Sequence, residues 1–214
     1  VILYSERDRK QRKIVKPYVN AEDWRKIMKV KRTIKTEVES FELGDVISFK
    51  LKDGENVQAK AVKKTDEGML FLTVDCLKDE YKMFNTPGDM GSMEINYFNS
   101  DLRHALNGEI LDRFPDEIRS RMVGMRIGDT DAFDLLRIPT EKEIFGTVTQ
   151  FKGMKNRRNR IAFQGSKTGA WEWYWLQNRV EDSASNFALV AGRGVADSDG
   201  ASYSAGVRPA FLLS

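Results

Sequence analysis

The sequence predicts an α+β fold, and three observations lead to that class. Residues 45–77 alternate apolar and polar side chains between turn signals, which is the pattern of a β-meander. Residues 99–145 contain capped segments with apolar residues at helical spacing. Residues 171–176 and 206–213 are apolar and predict strands on either side of a polar interval. Because strands and helices do not alternate as regular βαβ units, a doubly wound sheet is not expected.

The meander is predicted to have three strands, over 45–51, 57–62 and 69–77. Asp53-Gly54 between the first two is a typical hairpin turn. The third strand contains Cys76, the only cysteine in the sequence, so no internal disulfide is possible. An apolar neighbourhood favours a buried structural thiol over a nucleophile.

The first predicted helix begins at Asn99 or Ser100, since either side chain is a good N-cap. Its apolar stripe consists of Leu102, Leu106, Ile110 and Leu111. His104, the only histidine, lies on the same helix, and no second histidine or cysteine stands near it. One imidazole alone does not predict a metal site.

Two further short helices are predicted. One begins at Pro115, and its inward residues continue as far as Met125. A strand is predicted over 133–138. The other helix follows Pro139, with Thr140 as N-cap and Glu143 completing a capping box.

The C-terminal block is predicted to frame the fold. Trp171, Trp173 and Trp175 alternate, so a strand would place all three indoles on one side and Glu172 and Tyr174 on the other. Four residues are predicted to share the core of a single sheet: Trp173, Trp175, Val207 and Phe211.

The interval 177–205 is rich in small and polar residues and is predicted to be exposed loops around a strand at 187–190. It contains nine candidate ligand-binding residues: Gln177, Asn178, Arg179, Glu181, Asp182, Arg193, Asp197, Asp199 and Tyr203. Four of them, Arg179, Asp197, Asp199 and Tyr203, are predicted to be exposed on one face. An ordinary hairpin with a Ser/Gly-rich loop has the same composition and stays an alternative.

The net charge of +3 is unevenly distributed. Residues 1–36 carry +8, and the remaining 178 residues carry −5. Residues 1–36 are therefore predicted to be a basic arm with a short helix over 21–33, and residues 37–214 a single domain. A second basic cluster comprises Lys152, Lys155, Arg157, Arg158 and Arg160. Either segment could bind nucleic acid, or both could be solvated surface.

No catalytic motif is present: phosphate-loop, dinucleotide-binding, zinc-protease and paired-cysteine patterns are all missing. The sequence therefore predicts no enzymatic activity, no cofactor and no metal, and an unrecognised enzyme would need a deep polar pocket. Asp197 and Asp199 flank Ser198 and could hold a hard cation, although a turn has the same pattern. The apolar runs are too short for a membrane helix or a signal peptide, so we expect no membrane insertion and a cytoplasmic or phage-particle location.

Four blocks resemble a bacterial and prophage domain family of unknown function. They are 44–47 (Gly-Asp-Val-Ile), 102–107 (Leu-Arg-His-Ala-Leu-Asn), 174–178 (Tyr-Trp-Leu-Gln-Asn) and 206–211 (Gly-Val-Arg-Pro-Ala-Phe). The resemblance covers about residues 41–214, and the last block is its most specific part. Gln177-Asn178 departs from the Arg-Ser pair that is usual in the family.

This resemblance implies a C-type-lectin-like fold with an N-terminal β-meander, two or three short helices and a C-terminal antiparallel sheet. The family is similar in shape to the variable proteins of diversity-generating retroelements, which display substituted residues on a constant scaffold. The resemblance therefore implies a non-enzymatic recognition protein that presents residues 177–205 to a protein or surface ligand. The alternative is a nucleic-acid-associated prophage protein that uses the basic arm and the 152–160 cluster.

Overall fold

The computed structural model of the protein describes residues 41–85, 95–128, 131–165 and 171–214. The predicted basic arm over 1–36 and its helix over 21–33 lie outside the described residues. The described chain combines many strands with short helices, and this confirms the α+β class.

Most of the regular structure consists of short strands. In chain order they are β1 (Val46–Lys50), β2 (Asn56–Lys64), β3 (Met69–Thr73), β4 (Tyr81–Lys82), β5 (Met122–Val123), β6 (Met125–Arg126), β7 (Phe133–Asp134), β8 (Ala162–Phe163), β9 (Trp171–Glu172), β10 (Tyr174–Arg179), β11 (Asn186–Val190), β12 (Ala196–Gly200), β13 (Ser204–Ala205) and β14 (Ala210–Leu213). The helices are α1 (Asp101–Ala105), α2 (Leu111–Arg113), α3 (Asp116–Arg119) and α4 (Glu141–Phe145), and a π-helical stretch, Leu106–Ile110, joins α1 to α2. Two 3₁₀ turns occupy Tyr97–Asn99 and Arg157–Arg160.

The largest sheet has the strand order β1-β2-β3-β14-β5, and every pairing in it is antiparallel. The predicted meander is therefore confirmed as β1, β2 and β3. The C-terminal strand β14 lies between β3 and β5, with Phe211 opposite Phe71. Because this pairing joins the last strand to the first hairpins, it connects distant parts of the sequence in one sheet.

A second sheet has the order β10-β11-β12 and lies between two hydrophobic clusters. Trp175, Phe187 and Leu189 pack into the larger cluster. The alternate residues Tyr174 and Val190 pack into the smaller cluster on the other side. Both faces of the middle strand are therefore covered, which explains why the sequence of β11 is a continuous apolar run.

The alternating tryptophans do not behave as predicted. Trp175 is fully buried, but Trp171 and Trp173 are 59% and 44% exposed. Trp173 lies between β9 and β10, so no continuous strand aligns the three indoles. The prediction of one shared sheet is also wrong, because Trp175 is on β10 and Phe211 is on β14, in different sheets.

The helical region agrees with prediction at its caps and differs in its length. Ser100 Oγ accepts the Arg103 N–H and caps α1. The Thr140–Glu143 capping box is present in α4. The helix after Pro115 was predicted to reach Met125, but α3 ends at Arg119. The chain then turns into β5 and β6, because β5 pairs with β14 and this pairing prevails over the local helical pattern. The strand predicted over 133–138 is limited to β7.

Two residues of the 102–107 segment, Arg103 and Asn107, connect it to the chain that follows it. Arg103 donates to both carboxylate oxygens of Asp134, at 2.7 and 2.8 Å. Asn107 Oδ1 accepts the N–H groups of Leu135 and Leu136, and its Nδ2 donates to Leu136 O at 2.8 Å. These contacts attach the helical segment to the chain that follows it, so this block has a structural role.

Candidate functional site

The strands β10, β11 and β12 set the positions of most candidate binding residues. Arg179 pairs with Phe187, and Phe187 pairs in turn with Asp199. Directly paired residues of a sheet point to the same face. Arg179 and Asp199 therefore flank the buried Phe187 on one face, two strand spacings apart, which is about 10 Å.

Gln177 and Asn178 are half-buried and lie on β10, not in a loop as predicted. Gln177 Nε2 donates to Ile138 O at 2.6 Å. Asn178 Oδ1 accepts the Glu141 N–H at 2.8 Å. Each side chain therefore uses one polar atom to hold the start of α4 against the sheet.

The loop between β10 and β11 carries two acidic candidate residues. Glu181 and Asp182 are exposed, and neither forms an ion pair with a residue that the structure describes. The loop is compact, because Val180 N–H donates to Asn186 O and Asn186 N–H donates to Ser183 Oγ. Its acidic side chains are therefore held on a short, internally bonded support.

Asp197 and Asp199 lie on β12, the edge strand of the sheet. Asp197 Oδ1 accepts the N–H of Ser198 at 2.9 Å, and Asp199 Oδ1 accepts the N–H of Gly200 at 2.7 Å. Donors two residues apart on a strand point to the same side. The two carboxylates thus occupy donors along this edge strand, and charged side chains of this kind protect an edge from pairing with another strand.

Asp197 and Asp199, the pair that could hold a hard cation, do not belong to a metal-binding cluster. Within the described ranges there is no group of three or more histidine, cysteine or acidic side chains that could hold a metal ion. The residues around Ser198 form a strand, and not the turn that the sequence offered as the alternative.

The prediction that four candidates share one face is wrong. Asp197 and Asp199 share a face because they are two residues apart on a strand. The Tyr203 ring lies on the other side: a methyl group added at Gly200 would be 3.2 Å from Tyr203 Cδ2, and Gly200 is one position beyond Asp199. Tyr203 is 63% exposed, but it is separated from the aspartates by the sheet.

Arg193 is separated from the acids in a different way. It lies in the turn between β11 and β12, while Glu181 and Asp182 lie in the loop at the opposite end of β11. A strand of five residues is about 17 Å long. The candidate residues therefore divide between two ends of the sheet. One end carries Glu181 and Asp182 and is called the acidic end, and the other end carries Arg193.

The turn at residues 191–195 packs closely against two neighbours. A methyl group added at Gly192 would lie 3.0 Å from Trp171 Cβ and 3.5 Å from Trp173 Nε1. Gly194 has φ +71°, and a methyl group there would lie 2.6 Å from Arg157 O. Only glycine permits both the conformation and this approach. The turn therefore joins the exposed indoles to the 3₁₀ turn Arg157–Arg160.

The basic cluster over 152–160 has members with different roles. Arg160 is half-buried, donates to Gly194 O and Met154 O at 2.9 Å each, and stacks over the Phe145 ring. The other four are exposed and form no ion pair with a described residue: Lys152, Lys155, Arg157 and Arg158. Arg160 is therefore structural, and the remaining cations are available to a partner.

The last family-like block supplies a buried cation. Arg208 is 2% exposed, donates from Nε and Nη2 to Thr73 O at 3.1 and 2.8 Å, and donates from Nη1 to Tyr174 Oη at 3.0 Å. Tyr174 Oη donates in turn to Arg160 O. Burial raises the pKa of Tyr174, so the phenol stays protonated and keeps this donor. Arg208 thus connects the two sheets and has a structural role.

Cys76 is buried, as predicted. Burial raises the pKa of its thiol, and nearby Arg208 only partly opposes this effect. A thiol that stays protonated is a poor nucleophile, which agrees with a structural role.

Within the described part of the chain, no helix combines the length and apolar character that crossing a membrane requires. Comparisons with protein-family models, with curated proteins and with solved structures found no match.

Proposed function

We propose that the protein is a non-enzymatic recognition protein with a C-type-lectin-like scaffold, and that it binds a protein or surface ligand through the acidic end of the β10–β12 sheet. One observation carries the proposal: the middle strand β11 is buried over 187–190, while the loop before it and the edge strand beside it expose charged side chains. Loops on a rigid scaffold are where binding groups concentrate.

Rigidity matters because binding groups that are already ordered lose little entropy when they bind. Here the support is packed on both faces, with Phe187 and Trp175 on one side and Tyr174 and Val190 on the other. The exposed charges can therefore change without removing buried contacts, which is the property that a display surface needs.

The charge of this end indicates the ligand class. Glu181, Asp182 and Asp199 are acidic, and Arg179 is an exposed cation on the neighbouring strand β10. A ligand that presents lysine or arginine side chains would complement the carboxylates, and opposite potentials guide such partners together. We therefore propose a basic protein segment as the ligand.

The resemblance to retroelement variable proteins gives a separate test in the coding DNA. If the surface is diversified, a near-copy of the 3′ coding region should differ only at adenines. The differences should change exposed positions such as Arg179, Glu181 and Asp182 and spare the buried residues of β11. Differences that also fall on the buried strand would contradict a diversified display surface.

Selection of peptides from a random display library on the full chain tests the ligand proposal. We expect basic peptides whose affinity falls at least about tenfold, or about 1.4 kcal/mol, in Glu181→Lys/Asp182→Lys, since reversing two charges replaces attraction with repulsion. The matched control is Asp66→Lys/Glu67→Lys, which makes the same change in the exposed turn between β2 and β3. Selected peptides that bind both variants equally well would refute the proposed surface.

A further inference from the structure

A second exposed surface lies at the opposite end of the β10–β12 sheet. It consists of the side chains of Arg157, Arg158, Trp171, Trp173 and Arg193, all of which are exposed. We call it the cationic–aromatic surface. It does not depend on the proposed function, because it lies about one strand length, roughly 17 Å, from the acidic loop.

The packing of one turn brings these residues together. Gly192 lies against both indoles, and Gly194 lies against the backbone of Arg157. Arg160 Nε fixes this arrangement by donating to Gly194 O at 2.9 Å. Two glycines that are two residues apart are separated by at most about 7 Å. The indoles and the 3₁₀ turn of Arg157 therefore contact the same turn, which also carries Arg193.

The arginines of this surface are not held in ion pairs by the described residues. None of Arg157, Arg158 and Arg193 forms an ion pair with a described residue. Glu172 stands between the indoles in sequence; its Oε1 accepts the Trp173 N–H at 2.8 Å, and its Cγ packs close to Gly206. Asp197 is the acid nearest to the turn on β12, and its Oδ1 accepts the Ser198 N–H.

The two indoles distinguish this surface from an ordinary basic patch. Trp171 and Trp173 are 59% and 44% exposed, whereas the three aromatic residues of β10 and β11 are buried. Exposed aromatic rings beside cations match the chemistry of unpaired bases, which stack on the rings while the cations contact phosphates. Bases in a duplex are already stacked and cannot do so without being extruded.

We propose that the cationic–aromatic surface binds single-stranded nucleic acid without reading its sequence. Trp171 and Trp173 stack on bases, and Arg157, Arg158 and Arg193 contact phosphates. Sequence tolerance follows because every base has an aromatic face, and phosphate contacts make the affinity fall as salt concentration rises.

The test measures binding of the full chain to fluorescein-labelled oligothymidylate and oligouridylate of about 15 nucleotides, to a duplex of the same length, and to heparin. We expect both single strands to quench tryptophan fluorescence, and their binding to depend on the substituted residues more than binding of the duplex and heparin does. Trp171→Leu and Trp173→Leu should each weaken single-strand binding about tenfold, while Trp171→Phe and Trp173→Phe, which keep an aromatic ring, should keep most of it.

The phosphate contacts are tested by a matched pair of charge reversals. Arg157→Glu/Arg158→Glu should weaken binding at least about tenfold. Lys50→Glu/Lys82→Glu makes the same change of charge on exposed lysines of β1 and β4 and should leave binding within about twofold. All variants share the basic residues 1–36, so a difference in affinity between two variants is assigned to the substituted residues.

Three outcomes would overturn the proposal. The first is leucine variants that bind single strands as tightly as the native chain. The second is the same loss of affinity in both charge-reversal pairs, which would indicate a general effect of net charge. The third is that Arg157→Glu/Arg158→Glu weakens duplex and heparin binding as much as single-strand binding, which would indicate a polyanion surface in which the indoles take no part. Thermal unfolding of each variant shows whether a lost affinity reflects a lost fold.

Discussion

Replacing Trp175 tests how the second sheet is attached to the core. Trp175 is fully buried, and its Nε1–H donates to Tyr81 O at 2.8 Å. Trp175→Ala removes the indole from the larger cluster and leaves the Tyr81 carbonyl without this donor. Large aromatic-to-alanine changes in cores cost about 3–5 kcal/mol, and we expect this change to fall in that range.

Two further variants separate the contribution of the buried ring from that of the hydrogen bond. Trp175→Phe keeps most of the ring and loses the donor, so it should cost about 1–3 kcal/mol. Trp173→Ala is the matched control, because Trp173 is two residues away, 44% exposed and outside both hydrophobic clusters. It should cost less than about 1 kcal/mol.

The free energy of unfolding is measured by urea titration, followed by circular dichroism because the substitutions alter tryptophan fluorescence. A change of midpoint at constant m-value reports stability. If Trp175→Ala and Trp173→Ala shift the midpoint equally, Trp175 contributes no more to stability than an exposed indole. That result would contradict the packing of β10 against the larger cluster. If Trp175→Phe costs as much as Trp175→Ala, the hydrogen bond to Tyr81 outweighs the burial of the ring.

Three more predictions concern buried polar groups. Burial opposes ionisation of Glu143, but its paired contacts with Arg137 and the Thr140 N–H lower its pKa below the ordinary 4.5. This contribution to stability is present above the ordinary pKa and is lost as pH falls through the folded pKa. Glu143→Gln should therefore cost about 2 kcal/mol of unfolding free energy at neutral pH and much less near pH 3, as measured by urea titration at both pH values. An equal cost at both pH values would refute the ionic role. Arg208→Lys should lower stability by at least about 2 kcal/mol, because an ammonium cannot reproduce the fork that contacts Thr73 O and Tyr174 Oη; an unchanged midpoint in thermal unfolding would contradict that role. Cys76 should react with a thiol reagent only after denaturant is added, since the folded protein buries it; rapid labelling of the native protein would show that the site opens.

The sequence by itself determined those elements that depend only on neighbouring residues. The Asp53-Gly54 turn, the Ser100 cap and the Thr140–Glu143 box each depend on a few neighbouring residues, and the structure contains all three. The apolar run at 187–190 also predicted its strand correctly. These elements needed no knowledge of distant contacts, because turn geometry and caps are satisfied within one or two turns of chain.

Tertiary contacts decided the candidate surfaces. The helix after Pro115 ends early because β5 pairs with β14, which follows about ninety residues later. The indoles at 171 and 173 face solvent because the chain leaves the strand at Trp173 and because Gly192 lies beneath them. No spacing rule shows that Gly194 will pack on Arg157, so the sequence alone could not join the basic cluster to the tryptophans. Local patterns thus determined which segments are strands and helices, whereas pairing between distant segments decided which charged and aromatic side chains share a surface.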